Sequence, residues 1–184
     1  AGRHVLILTP EIGLIPQLVD RCRRRFGSKV LESPSGCRDR ERLQVWRRCL
    51  APEQPLLVVG TRSAVFIPLS PLGLVVLDEE HDSSYKQAAP MPCYHARDLA
   101  LDRIRAGGGR LVLGSATPSL DSWVQLHPDG PLRLGRLTQR ISQQSLPPVH
   151  VVDMRHELAE GHRRLISRPL MDRLAELPEK GEQA

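Results

Sequence analysis

The sequence predicts an α/β domain with a mostly parallel sheet flanked by helices, and three observations lead there. Short β-branched and leucine-rich runs alternate with amphipathic stretches, the order that strand–helix–strand units require. The runs Leu56-Leu57-Val58-Val59, Leu74-Val75-Val76-Leu77 and Leu111-Val112-Leu113 show no polar alternation, as expected of strands covered on both faces. Each run ends at a polar cluster, and in open parallel sheets the ligand crevice lies beyond the carboxyl ends of the strands.

Taken in chain order, His4-Val5-Leu6-Ile7-Leu8-Thr9 reads as the first strand, closed by Pro10. Leu18, Val19, Cys22 and Phe26 recur at helical spacing behind Pro16, a residue suited to a first turn. The turn-rich Ser33-Pro34-Ser35-Gly36 leads to a second helix, with Leu43, Trp46 and Leu50 as its apolar face. After the three central runs the pattern thins to a strand at Val149-His150-Val151-Val152 and a helix carrying Leu170, Leu174 and Leu177 behind a Ser167 cap. Residues 155–164 are highly charged and read as a flexible connection.

Composition narrows the function classes only a little. The 184 residues carry a formal charge of +5, most of it from arginine, whose forked guanidinium suits phosphate. Nucleic acid or nucleotide is therefore a reasonable partner. No apolar run reaches the roughly 20 residues needed to cross a bilayer, so a cytoplasmic protein without membrane contact is expected. Cys22, Cys37, Cys49 and Cys93 form no C-x-x-C pair, which suggests neither a zinc site nor a disulfide framework.

The strongest chemical signal is Asp78-Glu79-Glu80-His81, directly after an apolar run. A carboxylate at the end of a buried strand is costly unless it serves a cation, and Mg²⁺ on nucleotide phosphates is a common reason. Asp78 would hold that metal, and Glu79 would orient and deprotonate the attacking water. An acidic helix start would produce the same four residues. Gly114-Ser115-Ala116-Thr117-Pro118 follows the next apolar run. Its hydroxyls can bond the acidic cluster, and Thr117 is placed to cap a helix begun by Pro118.

Together with Gly60-Thr61-Arg62-Ser63, these segments stand in the order and approximate spacing of superfamily two helicase motifs. The segment from Thr9-Pro10-Glu11 to Gln17, the string from Asp78 to Gln87 followed by Tyr94-His95-Ala96-Arg97-Asp98, and the heptad from Gly114 are similar to motifs of one family. The chain resembles the PriA family of primosomal helicases, which act in bacterial replication restart.

That resemblance implies a RecA-like P-loop NTPase lobe using ATP and Mg²⁺ and stepping 3′ to 5′ along single-stranded DNA. It places Glu11, Gln17, Thr61 and Arg62 at the DNA backbone, and Tyr85 and Lys86 in a loop coupling DNA binding to hydrolysis. It makes His81 a link from the nucleotide site to Ser115 and Thr117. Residues 1–140 would be the first motor lobe, 141–164 a connection and 165–184 the start of a second lobe. Branched forks, other primosome proteins and single-strand-binding protein are the implied partners, near the bacterial nucleoid.

The sequence also departs from the family pattern. It contains no G-x-x-x-x-G-K-[ST] loop, and Gly107-Gly108-Gly109-Arg110 is no substitute. The lobe is thus expected to be truncated at its phosphate loop and inactive in isolation, and the family's zinc module has no ligands here. Cys93 and prolines stand where the family carries an arginine beside Tyr94. Two alternatives remain open: a nucleic-acid-binding lobe without catalysis, and a metal-dependent hydrolase using the acidic cluster; Asp78, His81 and His95 are a conceivable metal set whose spacing is poor for zinc.

Overall fold

A computed structural model describes residues 2–33, 39–139 and 148–181. The turn expected at Pro34, Ser35 and Gly36, the thiol of Cys37, residue 140, residues 141–147 of the expected connection and the last three residues lie outside these. The chain divides into two compact units, Ala1–Leu134 and Gly135–Ala184.

The first unit is a five-stranded, wholly parallel sheet. Its strands are β1 (His4–Leu8), β2 (Val30–Glu32), β3 (Leu57–Gly60), β4 (Leu72–Leu77) and, after a short hairpin of β5 (Lys86–Gln87) and β6 (Tyr94–His95), β7 (Arg110–Leu113). The sheet order is β2-β3-β1-β4-β7. Helix α1 (Ile15–Phe26) packs Ile15 and Val19 onto Val30, Leu57 and Val59 on one face. Helices α2 (Asp39–Leu50) and α3 (Ala96–Gly107) close the other, where Cys49, Ala96, Ala100 and Ile104 meet Leu6, Leu8, Val58, Val75 and Leu77. Parallel strands need such crossovers, and the helices they bring supply the apolar cover.

Two expectations are corrected here. The run at 111–113 is not covered on both faces: β7 lies at an edge of the sheet, and Val112 is 48% exposed. In α2 the buried side is Cys49, with Val45 half-buried beside it, while Leu43, Trp46 and Leu50 are exposed. Val45 and Cys49 are an i, i+4 pair, about 100° round the helix from a stripe through Trp46. The large side chains suggest the wrong stripe because the inward positions are the smaller Val45 and Cys49, and burial pushes the Cys49 thiol up to about 11. Strand β2 and the β5–β6 hairpin, at three and two residues per strand, were not foreseen.

In the second unit, α5 (Met154–Ala159) occupies part of the segment read as flexible, started by an Asp153 carboxylate that accepts from Arg155 N. Its buried Glu157 accepts from the backbone N of Arg168 at 2.8 Å and from the Arg168 guanidinium at 3.3 Å. Helix α6 (Arg168–Lys180) follows Ser167, whose carbonyl accepts from Met171 N. Residues 149–152 form no strand, and Val149 and Val151 are exposed. β-branched composition makes a strand only where a partner pairs with it.

Candidate functional site

Register brings the motif segments to one rim. Leu8 pairs with both Gly60 and Leu77, and Leu77 pairs with Leu113. Four parallel strands therefore end level, and Thr9, Thr61, Asp78 and Gly114 follow side by side. Backbone bonds continue the ladder one step further: Thr9 N to Gly60 O at 3.0 Å, Asp78 N to Leu8 O at 2.9 Å and Gly114 N to Leu77 O at 2.8 Å.

The three carboxylates after β4 then diverge. Asp78 and Glu79 are exposed, whereas Glu80 is 2% exposed. Glu79 holds a φ of 46°, the one positive φ at a non-glycine among the described residues. A left-handed backbone at such a residue costs on the order of 1 kcal/mol and tends to persist where surrounding structure enforces it, often at functional sites. His81 Nδ1 lies 2.8 Å from Ser115 Oγ and 3.6 Å from Glu79 Oε2. Ser115 Oγ also accepts from Thr117 N at 3.0 Å. The expected Thr117 cap is corrected: helix α4 (Leu120–Trp123) is capped by Ser119, whose side chain accepts from Ser122 N.

Beside Asp78 a cavity of about 160 Å³ is lined by Thr9, Leu14, Gln17, Leu18, Arg21 and Asp78. Thr9 Oγ1 is buried there with no hydrogen-bond partner. A buried unsatisfied hydroxyl is rare enough in folded proteins to need a reason. The exposed Asp78 carboxylate suits a magnesium ion that takes its other ligands from phosphate and water. Among the described residues no three His, Cys, Asp or Glu side chains gather to hold a metal, so the cluster of Asp78, His81 and His95 is not formed. His95 Nδ1 instead accepts from Arg97 N at 3.2 Å and starts α3. Burial holds its pKa below the usual histidine value, aided by the Arg97 charge.

Two residues expected to meet DNA are committed inside the fold. Tyr85 is wholly buried, with its hydroxyl 2.9 Å from Leu8 O and 2.6 Å from Asp78 O. Burial and the acidic neighbours push its pKa up, so it stays a donor. It offers no face to a base, because it ties the acidic loop to the end of β1. Arg62 donates to Ser84 O and Lys86 O, both at 3.1 Å, and to Gln87 Oε1 at 3.2 Å. Its guanidinium sits 5.7 Å from the Tyr94 ring centre, which Phe66 meets edge-on at 4.8 Å. Arg62 thus holds the hairpin to the end of β3, since planar recognition of several carbonyls is what a guanidinium does well. Lys86 and Glu11 are exposed, and Glu11 makes no side-chain bond to the turn it precedes. Gln17 lines the Asp78 cavity, and the Thr61 carbonyl accepts from Ala64 N.

Residues 1–125 match the DEAD/DEAH box helicase family. The chain belongs to that family. It is similar to replication restart protein PriA of Synechocystis, at 50% identity over 99% of the chain and 22% of the relative. To PriA of Bacillus subtilis it is 44% identical over its whole length, again 22% of that protein. The chain therefore spans less than a quarter of these two relatives. The Hef helicase domain of Pyrococcus furiosus aligns with 67% of the chain and 26% of its own, at 23% identity and a TM-score of 0.45. The RecA-like fold expected from the motifs holds for the parallel sheet and its flanking helices.

Sequence reasoning missed Thr9, Glu80, Arg97, Ser119 and Ser122 as parts of this rim. Glu80 is the buried member of three adjacent carboxylates, and nothing in its local sequence sets it apart from Asp78 and Glu79.

Proposed function

We propose that the chain is the ATP-coupled part of a replication-restart DNA helicase that moves 3′ to 5′ on single-stranded DNA. The pairing of His81 with Ser115 at 2.8 Å, across the ends of two parallel strands, carries this reading. It joins the acidic segment to the Gly-Ser-Ala-Thr turn, as a site sensing the state of a nucleotide requires. Asp78 is the residue that would hold magnesium, which when bound neutralises phosphate charge. Glu79 is held within 3.6 Å of His81, and its carboxylate would accept the proton of the attacking water. Exposed Gln17 and Lys86, with the backbone near Thr61, are the groups left to meet DNA phosphates, and the Glu11 carboxylate would accept from DNA hydroxyl or amino groups and not touch a phosphate. Arg62 and Tyr85 act one step behind, by holding the hairpin in place.

On this reading residues 1–140 form the first motor lobe, 141–164 a connection and 165–184 the start of the second. Forks, primosome proteins and single-strand-binding protein are the partners, in the bacterial cytoplasm. Because the 184 residues contain no G-x-x-x-x-G-K-[ST] loop, turnover is proposed for the longer protein and not for these residues alone. In that protein Glu79→Gln should lower ATP turnover at least about a hundredfold, with ATP and DNA affinities within about threefold of wild type. Steady-state hydrolysis and equilibrium binding decide it, and near-normal turnover would remove Glu79 from the role.

A further inference from the structure

We propose that Glu80 is a positioning residue: the buried joint through which the hairpin and the turn after β7 set the placement of Glu79 and His81. This rests on the helicase reading above and assigns a task to a carboxylate that reading leaves unused. Glu80 lies between two residues of the proposed chemistry yet turns inward. Its Oε1 accepts from Ser119 N at 2.6 Å, and its Oε2 accepts from Ser119 Oγ at 3.1 Å and Ser122 Oγ at 2.9 Å. Its backbone N donates to Gly114 O at 2.9 Å. Both main chain and side chain of one residue are thus fastened to the segment that follows β7.

Arg97 brings in a third segment. Its Nη1 lies 4.0 Å from Glu80 Oε2 and reaches Ser119 Oγ at 3.4 Å and Ser122 Oγ at 3.5 Å. Arg97 is in the first turn of α3, two residues past the hairpin strand that bears Tyr94, over which Arg62 sits. The acidic loop, the exit of the hairpin and the start of α4 therefore meet at one carboxylate. Burying it without partners would cost several kcal/mol, and here hydrogen-bond donors surround it. Such a joint has no slack. A displacement of the hairpin by bound DNA must move Glu80, and with it the left-handed residue before it and the histidine after it. A glutamine at 80 can keep its oxygen on the Ser119 N–H, but its NH₂ group then faces the Ser119 and Ser122 hydroxyls, which must turn to accept, and the Arg97 guanidinium, which cannot accept at all.

The test uses the full-length protein and compares ATP turnover with and without single-stranded DNA for wild type, Glu80→Gln, Ser122→Ala and the double variant. For Glu80→Gln the DNA-stimulated kcat should fall about tenfold more than the unstimulated kcat, with the nucleotide KM within about threefold. Ser122→Ala removes a single hydroxyl and should show a smaller drop of the same kind, which decides the matter alone should Glu80→Gln not fold. The double variant should be no worse than Glu80→Gln, because both remove one unit. Stimulated and unstimulated rates falling by the same factor, or losses that multiply in the double variant, overturn the joint while leaving the helicase reading intact. A wild-type protein with no DNA-stimulated turnover overturns that reading, and the joint with it.

Discussion

The two ends of the parallel sheet use their polar groups differently. At the amino ends the groups are satisfied within the fold: His4 Nδ1 accepts from Leu56 N at 3.0 Å, and Arg3 Nη1 donates to Gly107 O at 3.2 Å and Gly108 O at 2.6 Å. Gly109 fits so closely that a Cβ there would lie 2.5 Å from Leu72 O. At the carboxyl ends Thr9 Oγ1 is buried without a partner, Asp78 faces solvent and Glu79 sits in a strained backbone. The first end holds the strands together, whereas the second leaves the Asp78 and Glu79 carboxylates facing outward. Ligands of open parallel sheets bind at the second.

Three measurements break or sharpen that contrast. Gly109→Ala should cost about 1–3 kcal/mol of stability, since backbone must move to admit the methyl group, while nucleotide KM in the full-length protein stays unchanged. Denaturant unfolding and kinetics check the two halves, and a KM effect would show that the amino end is not purely structural. Tyr85→Phe should cost about 1–2 kcal/mol because the hydroxyl's bonds to the Asp78 and Leu8 carbonyls are lost, the Leu8 carbonyl keeping only its bond from Asp78 N. An unchanged unfolding midpoint would mean the hydroxyl does not tie the acidic loop to β1.

The smallest effect is that of His4. Burial holds its pKa below the ordinary 6.5, with the Ser70 carbonyl pulling weakly the other way. The unfolded chain then binds the extra proton more readily, so this contribution to stability is present above about pH 6.5 and is lost as pH falls through the lower folded value. His4→Gln should flatten that part of the stability–pH curve, as followed by urea midpoints between pH 7 and pH 5.

The contrast also explains what could be read in the sequence. Strands β1, β3 and β4 were legible because central parallel strands must be apolar on both sides, β7 because its short apolar run persists at an edge, and the rim positions of Asp78, Glu79, His81 and Ser115 because they follow such strands directly. Arg62 and Tyr85 lie on the rim the sequence suggests, but their polar groups bond within the fold. Sequence distinguishes an arginine from a leucine, but not one facing solvent from one whose donors are taken by Ser84 and Lys86 carbonyls. The Glu80 joint depends on Arg97, Ser119 and Ser122, up to 42 positions away, and no local pattern links them. Val149 and Val151 misled because alternation records a side chain's character and not whether a neighbouring strand exists.

The left-handed turn at Glu79 bears on how this protein could be engineered. Glycine adopts that conformation freely and asparagine tolerates it, so selection for heat resistance alone would favour either at this position. Variants gathered by thermal screening should therefore be assayed for nucleotide turnover before residue 79 is left free to vary.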